Sequence, residues 1–351
     1  MGIRVFYILA AALTVALAAC NRGPGDVPGA VPAAVYYWRT TMSLDSAERA
    51  FLTRHHVEKM YVRFFDVVLR GGHAVPNATI TGLDSVPPGV EVVPTVFIME
   101  NSLRADSALL PGLLVKRVKQ MCETHGIAAR ELQVDCDWTL RSMPLYYKML
   151  EAMRSQTGAL GWRLSATVRL HQLSMPAPPV DYGVLMIYNT GDVRRRDGTD
   201  PILDARHVAP YLRRLADYPL PLCAAYPCFT WQLLYAHGDG HFKAILRDDD
   251  LGDTTRFRGI STLNSQPLNL SYLVTRNSEL PESNSDGSAS TRMMVGDTVV
   301  VARPTEHDIL ATRDALEAHR PGINRQVVLY SMNSNQMKHY NDSLYEKIFN
   351  P

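Results

Sequence analysis

The stretch Glu131-Leu132-Gln133-Val134-Asp135-Cys136-Asp137-Trp138 decides how the chain is read. It has the composition of a buried strand that ends in two carboxylates. Successive side chains of a strand point to opposite faces. Gln133, Asp135 and Asp137 therefore share one face, and Leu132, Val134, Cys136 and Trp138 the other. The apolar face suits helices packed behind it. A polar face that gains acids toward its C-terminal end is what a barrel enzyme presents to substrate. A carboxylate on a central strand is costly to bury alone, so the pair requires a partner or a role.

Working outward, strand-like apolar runs recur at residues 34–40, 59–68 and 91–99 before this stretch, and at 163–170, 182–189, 221–225 and 326–332 after it. Helical segments fall between many of them: 45–55, where Asp45 and Glu48 have capping-box spacing, within 107–124, around 144–155, around 204–217, 306–319 and 342–349. Connections after strands two and five lack an obvious helix. Eight strands alternating with helices predict an α/β fold, a (β/α)8 TIM-like barrel. An insertion of roughly 238–304 separates strands seven and eight. Within it, 270–275 and 296–302 read as a hairpin, and Ser283 to Ser290 as a polar loop. A doubly wound open sheet is the alternative fold. It would carry a Gly-rich phosphate turn after its first strand, and Thr40-Thr41-Met42-Ser43 is not one.

The N-terminus reads as an address. Arg4 precedes an apolar run too short for a comfortable membrane span, and Leu17-Ala18-Ala19-Cys20 resembles the bacterial lipobox, in which the Cys is lipidated. Residues 1–19 are expected to be a lipoprotein signal peptide, and 20–32 the lipidated Cys20 with a flexible Gly- and Pro-rich tether. Residues 33–351 form the barrel domain. Asn21 is not Asp, which disfavours inner-membrane retention under the rule known for some Gram-negative bacteria. The expected location is the cell envelope, at the outer membrane. With 36 basic and 35 acidic residues the chain has a net charge of +1, which does not suggest nucleic acid as a partner. Cys122, Cys136, Cys223 and Cys228 match no zinc spacing, so no metal and no cofactor are expected. Cys223 and Cys228 are close enough in sequence for a local disulfide, but buried free thiols fit them better.

Alternation on the other strands brings further polar and aromatic groups to the same mouth. Strand two turns Tyr61, Arg63 and Phe65 inward, with Asp66 ambiguous at its end. Strand five offers Ser165, Thr167, Arg169 and His171, and strand six Met186 and Tyr188 with Asn189 at the tip. Tyr36 and Trp38 share a face of strand one; Tyr226, Phe229 and Trp231 follow strand seven, and Tyr330 and Asn333 lie at strand eight. Acids, guanidinium groups and aromatic rings around one opening fit a sugar site. Rings stack on the apolar faces of sugars, charged groups bind hydroxyls, and a carboxyl can do acid or base chemistry. The competing reading is structural: Asp135 and Asp137 pair with Arg63 and Arg169 in a polar interior. The DxD spacing also occurs in metal-binding glycosyltransferases, but that reading needs the open sheet.

Two segments resemble the chitinase-like glycoside hydrolases. That family carries D-x-x-D-x-D-x-E on its fourth strand; Asp135, Asp137 and Trp138 match, whereas Leu132 replaces the first Asp and Thr139 the Glu. Its sixth strand carries M-x-Y-D; Met186 and Tyr188 match and Asn189 replaces the Asp. The Glu is that family's acid, so the resemblance does not imply chitinase activity. The chain more closely resembles an uncharacterised bacterial family of TIM-barrel, glycoside-hydrolase-like lipoproteins. The shared features are the Gln133 to Asp137 strand, Tyr146-Tyr147-Lys148-Met149-Leu150 after it, Tyr37-Trp38-Arg39 and the segment from Tyr61 to Asp66.

Two functions stay open. One is a lipid-anchored glycoside hydrolase, with Asp137 as acid/base or electrostatic stabiliser and Asp135 tuning it by repulsion. Arg63, Arg169, Tyr188, Trp38, Gln133 and Asn189 would bind substrate, and Asp66, Glu100 or Asp192 would supply the second carboxylate. The other is a barrel that binds a glycan or a partner without cleaving it.

Overall fold

A computed structural model describes residues 27–105, 108–196, 199–246, 249–260, 270–279 and 292–350. The expected signal peptide, Cys20 and the Ser283 to Ser290 loop lie outside these residues. The strands are β1 (Ala33–Tyr37), β2 (Lys59–Arg70), β3 (His73–Asn77), β4 (Glu91–Ile98), β5 (Glu131–Asp135), β6 (Arg163–Arg169), β7 (Tyr182–Met186) and β8 (Leu222–Pro227), followed by β9 (Trp231–Tyr235), β10 (Phe242–Leu246), β11 (Phe257–Ile260), β12 (Ser271–Val274), β13 (Ser278–Glu279), β14 (Arg292–Met293), β15 (Thr298–Ala302) and β16 (Val327–Tyr330). Parallel pairing runs β1–β2–β4–β5–β6–β7–β8–β16 and returns to β1, closing an eight-stranded ring. β3 is outside the ring, folded back antiparallel on the end of β2.

The expected helices surround it: α1 (Ser46–Arg54), α2 (Leu110–Thr124), α3 (Met143–Ala159), α4 (Ala205–Leu215), α5 (Glu306–His319), the short α6 (Ser334–Met337) and α7 (Asp342–Phe349). α1 starts where its sequence says it should. Asp45 accepts from the Glu48 amide, and Glu48 returns a bond to the Asp45 amide, a complete capping box. After strands β2 and β6, where no helix was expected, the chain makes the β3 hairpin and a single 3-10 turn, Leu170–Ser174.

Alternation divides the core in two. Outward residues such as Leu132, Val134, Cys136 and Trp138 join the helices in one large apolar cluster. Trp138 stacks on Tyr146 of α3, ring centroids 5.9 Å apart, and both are fully buried. Inward residues, including Tyr36, Tyr61, Tyr182 and Met186, fill the barrel.

Two features depart from simple alternation. The register of β2 against β4 shifts between Arg63 and Phe65. This bulge sends Phe65 outward into the helix-side cluster instead of inward as alternation predicts, and leaves Arg63 and Asp66 together. The segment 27–32, expected as tether, packs under the barrel, with Val27 buried in the interior cluster.

Between β8 and α5 the chain builds a five-stranded antiparallel sheet, β10-β9-β15-β12-β11. The expected hairpin is present in it as the β12–β15 pair. The sheet begins at Trp231, upstream of the expected start at residue 238. Cys122, Cys136, Cys223 and Cys228 are buried free thiols. No helix of the described residues is long and apolar enough to cross a membrane.

Candidate functional site

β5 ends at Asp135, and the extended residues after it carry Asp137 into the barrel mouth. β6 lies alongside in parallel register and delivers Thr167 and Arg169 to the same face. Arg169 then bridges both acids: its Nε is 2.5 Å from Asp137 Oδ1 and its Nη2 is 3.0 Å from Asp135 Oδ1. Thr167 donates to Asp135 Oδ1 at 2.6 Å. The two acids are not equivalent. The Asp135 side chain is 5% exposed and the Asp137 side chain 65%. Asp135 is thus roofed by Arg169, while Asp137 reaches solvent.

Electrostatics follow from that layering. Burial pushes the Asp135 carboxyl above its ordinary range, and the attraction of Arg169 reverses this only in part. Burial alone would lower the Arg169 guanidinium, but Asp135, Tyr188 and Asp137 outweigh it and hold the group firmly protonated. Arg169 thereby occupies Oδ1 of Asp137, the one carboxylate oxygen of that residue it reaches. One Arg169 nitrogen, Nη1, has no hydrogen-bond partner among the described residues.

A second ion pair stands across the mouth. Arg63 Nε is 2.6 Å from Asp66 Oδ1, and the Nη2–Oδ2 contact completes a bidentate pair. The Arg63 guanidinium lies 5.6 Å from the Trp38 ring centroid and donates to the Trp38 carbonyl. From Trp38 a run of rings crosses the opening. Tyr330 is 5.7 Å from Trp38, Tyr188 stacks on Tyr330 at 4.8 Å, and Phe229 is 5.7 Å from both Tyr188 and Trp231. The run therefore connects the barrel mouth to the first strand of the inserted sheet.

Glu100, on the short turn after β4, accepts from Thr139 Oγ1 at 2.7 Å and Ser142 Oγ at 2.6 Å. The Ser142 and Thr139 hydroxyls hold its carboxyl below the usual range. Glu100 is one of the acids expected from the sequence to supply a second carboxylate, but nothing in the sequence indicates that it lies beside Thr139.

The other expected residues divide. Arg63, Arg169, Trp38 and Tyr188 come together at the mouth. Asn189 is exposed at the tip of the strand six region, in the left-handed backbone region at φ 57°. Gln133 does not reach the opening. It is fully buried one layer below, bonded by the Tyr36 hydroxyl at 2.7 Å, so its part is in the barrel interior rather than in ligand contact. Asp192 is in a loop, accepting from the Arg194 amide. His171 is exposed, its imidazole lowered by burial of the ring more than Asp137 raises it. Among the described residues no group of three or more His, Cys, Asp or Glu side chains is arranged to hold a metal ion.

Solved structures share this architecture. A chitinase from Chromobacterium violaceum aligns with a TM-score of 0.56 at 12% identity, over 91% of this chain and 98% of its own. A glycoside hydrolase family 18 chitinase from Cycas revoluta, solved in complex with (GlcNAc)4, gives 0.54 at 11% identity over 90% and 97%. The spore cortex-lytic enzyme SleL of Bacillus megaterium gives 0.51 at 10% identity over 86% and 71%. The fold is chitinase-like. No protein-family model and no curated protein matches the chain. Identities this low carry the architecture and not the chemistry, which must be argued from this barrel's own side chains. Where the chitinase-like motif has its Glu, this barrel has Thr139, and the nearest observed carboxylate to that side chain belongs to Glu100.

Proposed function

We propose that this chain is a lipid-anchored, glycan-binding barrel of the bacterial cell envelope that does not hydrolyse its ligand by the chitinase route. The observation that carries the reading is Arg169 bonded to both Asp135 and Asp137. A general acid must hold a proton at working pH and touch the leaving oxygen. Asp135 is pushed toward protonation but lies beneath Arg169. Asp137 reaches solvent, but the same guanidinium donates to its Oδ1, so that oxygen is engaged as an acceptor and not free to hand a proton to a leaving group. Neither meets both conditions.

As a binding surface the mouth is well supplied. Trp38, Tyr188, Tyr330, Phe229 and Trp231 offer apolar faces to pyranose rings, while Asp137 and the Arg63–Asp66 pair offer acceptors and donors for hydroxyls. The chitinases and (GlcNAc)4 complex among the structural neighbours make amino-sugar polymers the first ligands to try.

The test is calorimetric titration of chitooligosaccharides and peptidoglycan fragments against the full chain, with reducing ends assayed in the same samples. Binding without release supports the reading; release that Asp137→Asn abolishes overturns it.

One observation favours a second reading. Glu100 presents an ionised carboxylate against Thr139, beside the position of the chitinase-like Glu. A hydrolase using Glu100 as base would lose reducing-end release in Glu100→Gln, whereas a binding barrel has none to lose.

A further inference from the structure

We propose that the barrel stands with its floor toward the lipid bilayer and its mouth turned away, because residues 27–32 are a fixed strap and not a tether. The proposal rests on lipidation of Cys20 as read from the sequence.

The strap is built into the floor at several points. Val27 is buried with Tyr61 and Tyr182 in the barrel interior. Gly29 adopts φ +66°, a backbone conformation that favours glycine, and lies against the Arg163 guanidinium. Its carbonyl accepts from Lys59 Nζ at 3.2 Å. The Val31 amide donates to Gln326 Oε1 at 3.3 Å, and the Val327 amide to the Pro32 carbonyl at 3.0 Å. These partners belong to the N-terminal ends of β2, β6 and β16, which spread the attachment across the floor.

Chain length then limits orientation. Residues 21–26 alone separate Cys20 from Val27. Fully extended, that stretch spans roughly 25 Å. A folded domain of this size is on the order of 50 Å across. For the mouth to face the membrane, the chain would have to run from the floor around a flank, about twice its reach. The floor loops, including the one holding Ala128, therefore face the lipid headgroups. The mouth opens tens of ångströms above them, where it meets a polymer held off the membrane and not the membrane's own glycolipids.

The experiment uses the lipidated full chain on vesicles of three parts phosphatidylethanolamine to one part phosphatidylglycerol, doped with a nitroxide-headgroup lipid. Fluorophores are attached to single introduced cysteines, Ala128→Cys on the floor or Leu140→Cys at the mouth; both positions are exposed, and the four described native thiols are buried. Several-fold stronger quenching at 128 than at 140 is expected, and a flexible insert of thirty Gly and Ser residues after Asp26 should equalise the two. Equal quenching on vesicle-bound chain, or quenching stronger at 140, overturns the orientation. A difference that survives the insert overturns the strap as its cause. If the chain pellets with vesicles no better than Cys20→Ser, lipidation itself is overturned, and the orientation with it.

Discussion

The two ends of β5 hold the same ingredients and reach different results. At the floor, Glu131 is fully buried, bonded by Ser165 at 2.5 Å and Tyr182 at 2.6 Å, with Lys59 at 3.7 Å and Arg163 at 3.9 Å. Tyr61 bonds Tyr182, and Gln326 bonds Tyr61, so the acid belongs to a polar network closed from below by the strap. At the mouth, Asp135 is nearly as buried, but its arginine also holds an exposed Asp137, next to a run of half-buried aromatic rings. A buried acid on a barrel strand is thus not in itself a sign of chemistry. What distinguishes the two ends is where the network stops: at the floor on the half-buried Arg163–Glu91 pair, at the mouth on the exposed carboxylate of Asp137.

The comparison breaks first if floor and mouth respond alike to truncation. Glu131→Ala strands Lys59 in the interior and leaves two hydroxyls without an acceptor. It should cost about 3–5 kcal/mol in urea unfolding, with glycan affinity per folded molecule unchanged. Arg169→Met should cost somewhat less, about 2–3 kcal/mol, because it exposes Asp135 to the mouth rather than sealing it in. It should also remove glycan binding. Adding Asp135→Asn should recover part of that stability and none of the affinity. A floor variant that weakens binding as much as Arg169→Met does would erase the distinction.

Trp38→Ala sharpens the comparison at the mouth alone. Loss of one stacking face should weaken glycan binding about tenfold, or ~1.4 kcal/mol, in calorimetric titration. Tyr182→Phe at the floor should leave affinity unchanged.

The smallest effect is a slope. Burial raises Glu131 as it raises Asp135, more than their cationic neighbours lower them. The folded chain therefore keeps protons that the unfolded chain releases. Their stabilising contribution is complete below the ordinary carboxylate values of about 4 and declines as pH climbs through the raised ones. Glu131→Gln should flatten unfolding free energy against pH in that window. An unchanged slope would mean that Glu131 is not the group responsible.

Much of this was legible in the sequence. Period-two patterning marked the eight strands, and the same parity placed Asp135, Asp137, Thr167 and Arg169 on one face. Parity failed at Phe65, because a bulge is one residue long and leaves no compositional mark. It also misjudged Gln133, since facing inward does not say how deep in the barrel a residue sits. Glu131 has the same parity as Asp135, yet its network depends on Lys59, Arg163, Tyr182 and Gln326, far apart in the chain. The strap looked like a tether because Gly and Pro serve fixed turns as readily as flexible segments. The approach of Glu100 to Thr139 depends on a tertiary contact between two neighbouring loops.

The central claim is that the mouth, with both acids held by Arg169, binds a glycan without cleaving it. Its most direct test is reducing-end release from chitooligosaccharides by the full chain under conditions where calorimetry shows them bound. The account predicts saturable binding with no release above the buffer blank, in the native chain and in Asp137→Asn alike. Turnover by the native chain that disappears in Asp137→Asn would contradict it.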